Sequence, residues 1–129
     1  MKIKIYPLVS SLHDENVVNN STKNFINRLE ELLCCTFVIE KNIEKLYSDS
    51  DLSLLLIQTG GSENFFLRDI SKIKSPILLL TYGYSNSLAA AIEILSYINQ
   101  NNLKGEILHG SEEYISNRIR EILKENNND

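Results

Sequence analysis

Apolar residues along this chain change spacing at regular intervals, from short continuous or alternating runs to recurrences every three or four positions. The runs are "KIKIYPLV" (2–9), "CTFVIE" (35–40), "LSLLLIQ" (52–58), "PILLL" (76–80) and "LKGEILH" (103–109), each of strand length. Those at 52–58 and 76–80 are apolar on both faces, as in strands covered above and below, and Pro76 stands where a strand can begin. Between the runs the spacing is helical. From Asp14, a good N-cap, apolar residues recur at Val18, Phe25, Ile26, Leu29, Leu32 and Leu33. A helix is expected after "TGG" with Phe65, Phe66 and Ile70 inward, and another burying Leu88, Ala91, Ile92, Leu95 and Ile98. A last one, capped by Ser111, carries Tyr114, Ile115, Ile119, Ile122 and Leu123, while "NIEKLY" reads as a short helix or turn.

Strand and helix alternate five times without repeat or linker. Such alternation with two-sided central strands specifies a parallel sheet with helices on both faces. The expected architecture is α/β, a doubly wound five-stranded parallel sheet in a flavodoxin-like three-layer sandwich. Right-handed crossovers favour the order 2-1-3-4-5. Residues 1–125 form one α/β domain, and the polar end 126–129 is expected to fray.

Composition narrows the partners. A chain of 129 residues can bury about two-thirds of its unfolded surface around one core. Thirteen Lys and Arg against seventeen Asp and Glu give a net charge of −4, with the basic residues scattered, so neither a nucleic acid nor an anionic membrane is an expected partner. No apolar run reaches the roughly 18 residues of a membrane span, and "MKIKIYPLVS" lacks a signal-peptide pattern, which points to the cytoplasm. Cys34 and Cys35 are adjacent, lack a second ligand pair and follow Leu32 and Leu33, so both are expected to be buried thiols.

In open sheets of this class ligands sit beyond the carboxyl ends of the strands, and the polar residues of this chain collect there. Strand one is followed by Ser10, Ser11, His13, Asp14 and Glu15, and strand three by Thr59, Gly60, Gly61, Ser62 and Glu63. Strand four runs into Gly83, Ser85, Asn86 and Ser87, and strand five into His109, Gly110 and Ser111. Glycines at 60 and 61 let backbone approach a ligand, and helix starts near Ser62, Ser85–Ser87 and Ser111 offer N–H groups, a set suited to a small ligand rich in hydroxyls or carrying one anionic group. Each residue alone is also what a cap or tight turn uses. The glutamates Glu63, Glu112 and Glu113 suit the first turn of a helix through the dipole alone.

Several chemistries are disfavoured. The loop "VSSLHDEN" has serines but no glycine for a flavin phosphate. The third and fifth strand ends carry Gln58-Thr59 and Leu108-His109 rather than the aspartate and lysine of a phosphoreceiver. Neither a G-x-G-x-x-G nor a Walker loop is present. Both histidines lie on this edge, but strands one and five are three steps apart, roughly 14 Å at about 4.8 Å per step, so they do not share a metal. No other set of carboxylates and histidine has ligand spacing, and no metal site is expected.

The ordered set "LVSSLHDE" (8–15), "TGGSE" (59–63), "PILLL" with "GYSNSLAAAIEIL" (76–95) and "ILHG" (107–110) resembles the amino-terminal domain of the L-fucose and L-arabinose isomerase-like proteins, over nearly the whole chain. The resemblance implies an oligomeric ketol isomerase of aldoses and ketoses that uses a divalent metal, usually manganese. Its metal-binding carboxylates and histidine would lie on further domains with no counterpart here, so this chain is expected to be the first domain alone, inactive by itself and without a cofactor of its own. In such a domain Ser11, His13, Thr59, Gly60, Gly61, Ser62, Glu63, Gly83, Asn86, Ser87 and His109 would stand at the substrate edge, partnered by metal-bearing isomerase domains or by further copies of the chain. The alternatives are a stand-alone binding module for a sugar or small anion on the same edge, and an enzyme using His13 or Glu63 as general acid or base.

Overall fold

A computed structural model describes residues 2–8, 20–57, 70–74, 76–81 and 87–127. Five strands form one sheet: β1 (Lys2–Leu8), β2 (Thr36–Ile39), β3 (Leu52–Ile57), β4 (Ile77–Leu80) and β5 (Gly105–Leu108). Every recorded pairing is parallel, and the order is β2-β1-β3-β4-β5. The doubly wound, flavodoxin-like expectation is met in strand order and direction. Among the described residues three helices accompany the sheet, α1 (Asn20–Leu33), α2 (Ser87–Gln100) and α3 (Glu112–Asn127), with short 3-10 turns at Ile43–Lys45 and Ile70–Lys72.

The pleat divides the core into two layers. Ile3, Ile5, Leu54, Leu56, Leu78 and Leu80 point to one face, where α1 brings Phe25, Ile26 and Leu29 and α3 brings Ile115, Ile119 and Ile122. Alternate residues Leu8, Leu55, Ile57, Ile77 and Leu79 point to the other, against Ala90, Ala91, Ile94 and Ile98 of α2 and Ile43 and Leu46 of the first 3-10 segment. β4 is buried at every position and β3 at all but Ser53, the cost of which is offset only because helices or turns lie on both sides.

Where the first 3-10 turn replaces a second long helix, the strands beneath it carry polar side chains. Lys4 points into that layer and is buried; its Nζ donates to Lys45 O at 2.8 Å and lies 3.6 Å from Glu40 Oε2. Ser53 Oγ donates to Leu46 O at 2.8 Å. Two adjacent carbonyls at the end of a short turn are thus met by strand side chains, Lys45 O accepting the Ser48 N–H at 3.3 Å as well. The Glu40 carboxyl accepts the Asn42 N–H at 3.1 Å, and this bond, with the Lys4 charge, holds it below the ordinary carboxylate range against the opposing effect of burial.

The structure corrects three details of the pattern. α2 turns Ala90, Ala91, Ile94 and Ile98 inward, leaving Leu88 36% and Ile92 54% exposed. Two apolar stripes compete on this helix, and the one with paired alanines lets the axis approach branched side chains already filling the sheet face. Tyr114 stands 58% exposed, although the rest of its expected stripe is buried. α1 ends at Leu33 and Cys34 adopts a positive φ of 52°, so the chain leaves the helix before the thiols can follow its apolar side. Cys34 is exposed and Cys35 half-buried, and burial pushes the Cys35 thiol up. α3 runs to Asn127. The helix start at Asp14 and the helix carrying Phe65 and Phe66 lie outside the described residues; Ile70 opens the second 3-10 turn.

Two outcomes follow from this packing. Leu79→Ala should cost about 2–5 kcal/mol in a denaturant melt, while Ile92→Ser should stay within about 0.5 kcal/mol of the parent, the reverse of what the spacing alone suggests for Ile92. Glu40→Gln should melt below the parent at neutral pH. Because the folded carboxyl has the lower pKa, its stabilisation is present above the unfolded value and is lost as pH falls through the folded one, so the gap between the two melting temperatures should close in acid.

Candidate functional site at the carboxyl edge

The described part of the carboxyl edge is built where β4 and β5 end. Thr81 follows Leu80 and His109 follows Leu108, and the ladder continues one step beyond the strands because Thr81 N donates to Leu108 O at 3.1 Å. That bond brings the two side chains together. Thr81 Oγ1 and His109 Nδ1 share a hydrogen bond of 2.6 Å, with Thr81 wholly buried and His109 partly exposed. Whichever atom donates, Nδ1 is occupied and the ring is held by the strand beside it, leaving Nε2 as the nitrogen able to meet a ligand.

Beyond His109 the chain turns at Gly110, whose φ of 131° suits glycine alone. A Cβ there would stand 3.3 Å from Tyr114 Cδ1, so the missing side chain lets the Tyr114 ring lie against the turn while staying exposed. α3 then starts on a true cap: Ser111 Oγ accepts the Tyr114 N–H at 3.1 Å and Ser111 O the Ile115 N–H at 3.0 Å. The helix is pinned to β5 by the bidentate pair of Arg118 with Glu106, at 2.5 Å through Nε and 2.8 Å through Nη2. Hydrogen bonding to Glu106 raises the Arg118 pKa further, and the guanidinium is permanently charged. His109, Gly110 and Tyr114 are therefore set between a fixed strand end and an anchored helix.

Glu112 and Glu113 put two carboxylates in the first turn of α3, with Glu113 reaching Arg28 of α1 at 3.7 Å. They answer the helix dipole and leave this corner less welcoming to an anion than a bare helix start would be.

Of the residues expected at this edge, the structure places His109 in the site and starts α2 at Ser87. Ser11, His13, Thr59, Gly60, Gly61, Ser62, Glu63, Gly83 and Asn86 lie outside the described residues. Two participants were missed. Thr81 stands just past the apolar run 76–80, and one hydroxyl after four buried aliphatic residues marks where a strand leaves the core. Tyr114 was assigned to the core by its spacing. Among the described residues, no three of His, Cys, Asp and Glu come close enough to hold a metal ion, and no helix is long and apolar enough to cross a membrane. The described donors form no set that fits manganese.

Compared with known protein families, with curated proteins and with solved structures, the chain shows no match.

Thr81→Val should keep the fold and cost about 0.5–1.5 kcal/mol, the net worth of one hydrogen bond. The direct readout is the imidazole nitrogen spectrum: with the partner gone, the Nδ1 and Nε2 signals of His109 should move toward the pattern of a freely rotating histidine.

Proposed function

We propose that this chain binds a small uncharged polyol at the carboxyl edge of β4 and β5, as the amino-terminal domain of a sugar-isomerase-like assembly whose metal-bearing residues lie on other domains or another chain. The observation that carries the reading is the His109 ring, oriented by Thr81 at 2.6 Å, beside an exposed tyrosine resting on Gly110. A sugar presents alternating hydroxyls and an apolar C–H face. The first suits Nε2 and the second suits an aromatic ring. The first-turn carboxylates favour a neutral ligand over a phosphorylated one. The resemblance of the "TGGSE" and "GYSNS" stretches to sugar-isomerase domains supports the same ligand class. In this reading the chain binds and orients, and proton transfer between neighbouring carbons falls to the other domains of the assembly.

The test is a titration of the isotope-labelled chain with L-fucose, L-arabinose and a sugar phosphate, followed by amide shifts. The free sugars should perturb His109, Gly110 and Tyr114, and the phosphate should bind more weakly. Tyr114→Ala should weaken binding by roughly 0.5–1.5 kcal/mol and His109→Ala by a comparable amount. Aldose turnover by the isolated chain with added manganese, or tighter binding of the sugar phosphate, would overturn the reading.

A further inference from the structure

A second concavity lies at the opposite, amino edge of the sheet, where nothing in the carboxyl-edge reading requires one. β1 and β3 pair from Ile3 and Leu52 onward, and β4 and β5 from Ile77 and Gly105. The recorded pairs between β3 and β4, in contrast, are Leu55 with Leu79 and Leu56 with Leu80. Among the described residues these two central strands therefore part at their amino ends. A cavity of about 290 Å³ is lined by residues from both sides of that gap.

Its floor is apolar, made by Leu52 of β3, Leu78 of β4 and Ile122 of α3. Its polar lining carries two kinds of group. The first are acceptors. The Ser50 and Ser53 hydroxyls lie 2.9 Å apart and 3.4 and 2.8 Å from Leu46 O, so the Ser50 proton is spent within this trio. Ser50 Oγ is left as an acceptor. Asp51 uses Oδ2 to accept Lys2 N–H at 2.7 Å and has a second carboxylate oxygen. Asn126, in the last turn of α3, adds an amide at the negative end of a helix dipole. The second is one strong donor, the Lys74 ammonium, 5.7 Å from the centre of the Tyr47 ring. Burial pushes the Tyr47 hydroxyl up, so it stays neutral and does not compete for Lys74 as an anion.

Acceptors fit an ammonium, a lysine fits a carboxylate, and aliphatic lining fits a hydrocarbon tail. We infer that this amino-edge cavity is a binding site for a small zwitterion with an aliphatic side chain, an apolar α-amino acid. Its volume sits at the small end of ligand pockets, in keeping with a ligand of that size. The site is independent of the polyol reading and lies at the other end of the strands.

The experiment is a titration of the intact chain with L-leucine, read by amide shifts, alongside isocaproate and isoamylamine, which each lack one charged end. Leucine should shift Asp51, Leu52, Ser53 and Asn126 and leave His109 and Gly110 unmoved. Each single-charge analogue should bind at least roughly tenfold more weakly, the scale of one lost charged contact. Lys74 is exposed, so Lys74→Met should leave the melting temperature in place while weakening leucine by a similar factor. No shift at millimolar leucine, shifts confined to the carboxyl edge, equal affinity for all three compounds, or indifference to Lys74→Met would each overturn the inference.

Discussion

The structure depends on one constraint: two adjacent strands of nearly unbroken aliphatic residues must be hidden on both faces at once. Leu54, Leu55, Leu56 and Ile57 are all at most 1% exposed, as are Ile77, Leu79 and Leu80. No arrangement with one wet face can hold them. Parallel pairing follows because only crossover segments can supply cover on both sides, and the right-handed sense of those crossovers leaves β3 and β4 inside and β2 and β5 at the rims. Even the departures obey this rule. Where the cover on one face shrinks to a 3-10 turn, Lys4 and Ser53, polar interruptions in otherwise apolar strands, reach the carbonyls at the end of that turn.

That constraint explains why so much of the fold was legible. Period and length alone separated β3 and β4 from the helices, and two-sided apolarity gave their central place. Helix faces were less legible wherever two stripes were possible. In α2 the spacing is satisfied equally by Leu88, Ile92 and Leu95 or by Ala91, Ile94 and Ile98, and what decides is how near the axis can come to a sheet already lined with leucine and isoleucine. Small residues carry that information, and a reading weighted toward large ones misses it. Cys34 shows a second limit. Its exposure depends on a single backbone residue at φ 52°, a tertiary choice that side-chain hydrophobicity does not encode.

The site was legible as a place and not as a set of contacts. Fold topology puts βα junctions on one edge, so His109 could be located from strand order. Its partner could not, because the Thr81 contact depends on the ladder running one residue past the last strand position, and a threonine after four aliphatic residues reads equally well as a strand end. The role of Tyr114 depends on Gly110 lacking a side chain, a relation between two residues four apart across a turn with φ of 131°.

The Glu106–Arg118 pair has a consequence beyond fixing α3. β5 is a rim strand of four residues, "GEIL", with one side of its backbone unpaired by any other strand of the sheet, the kind of edge on which another molecule's strand can add itself. A carboxylate in the second of those positions, tied to a guanidinium that also reaches Glu121 and Glu125, places a charge cluster along the open rim. An incoming strand would have to desolvate that cluster to dock, so the contact that steadies the helix also discourages fibre-like growth from the sheet.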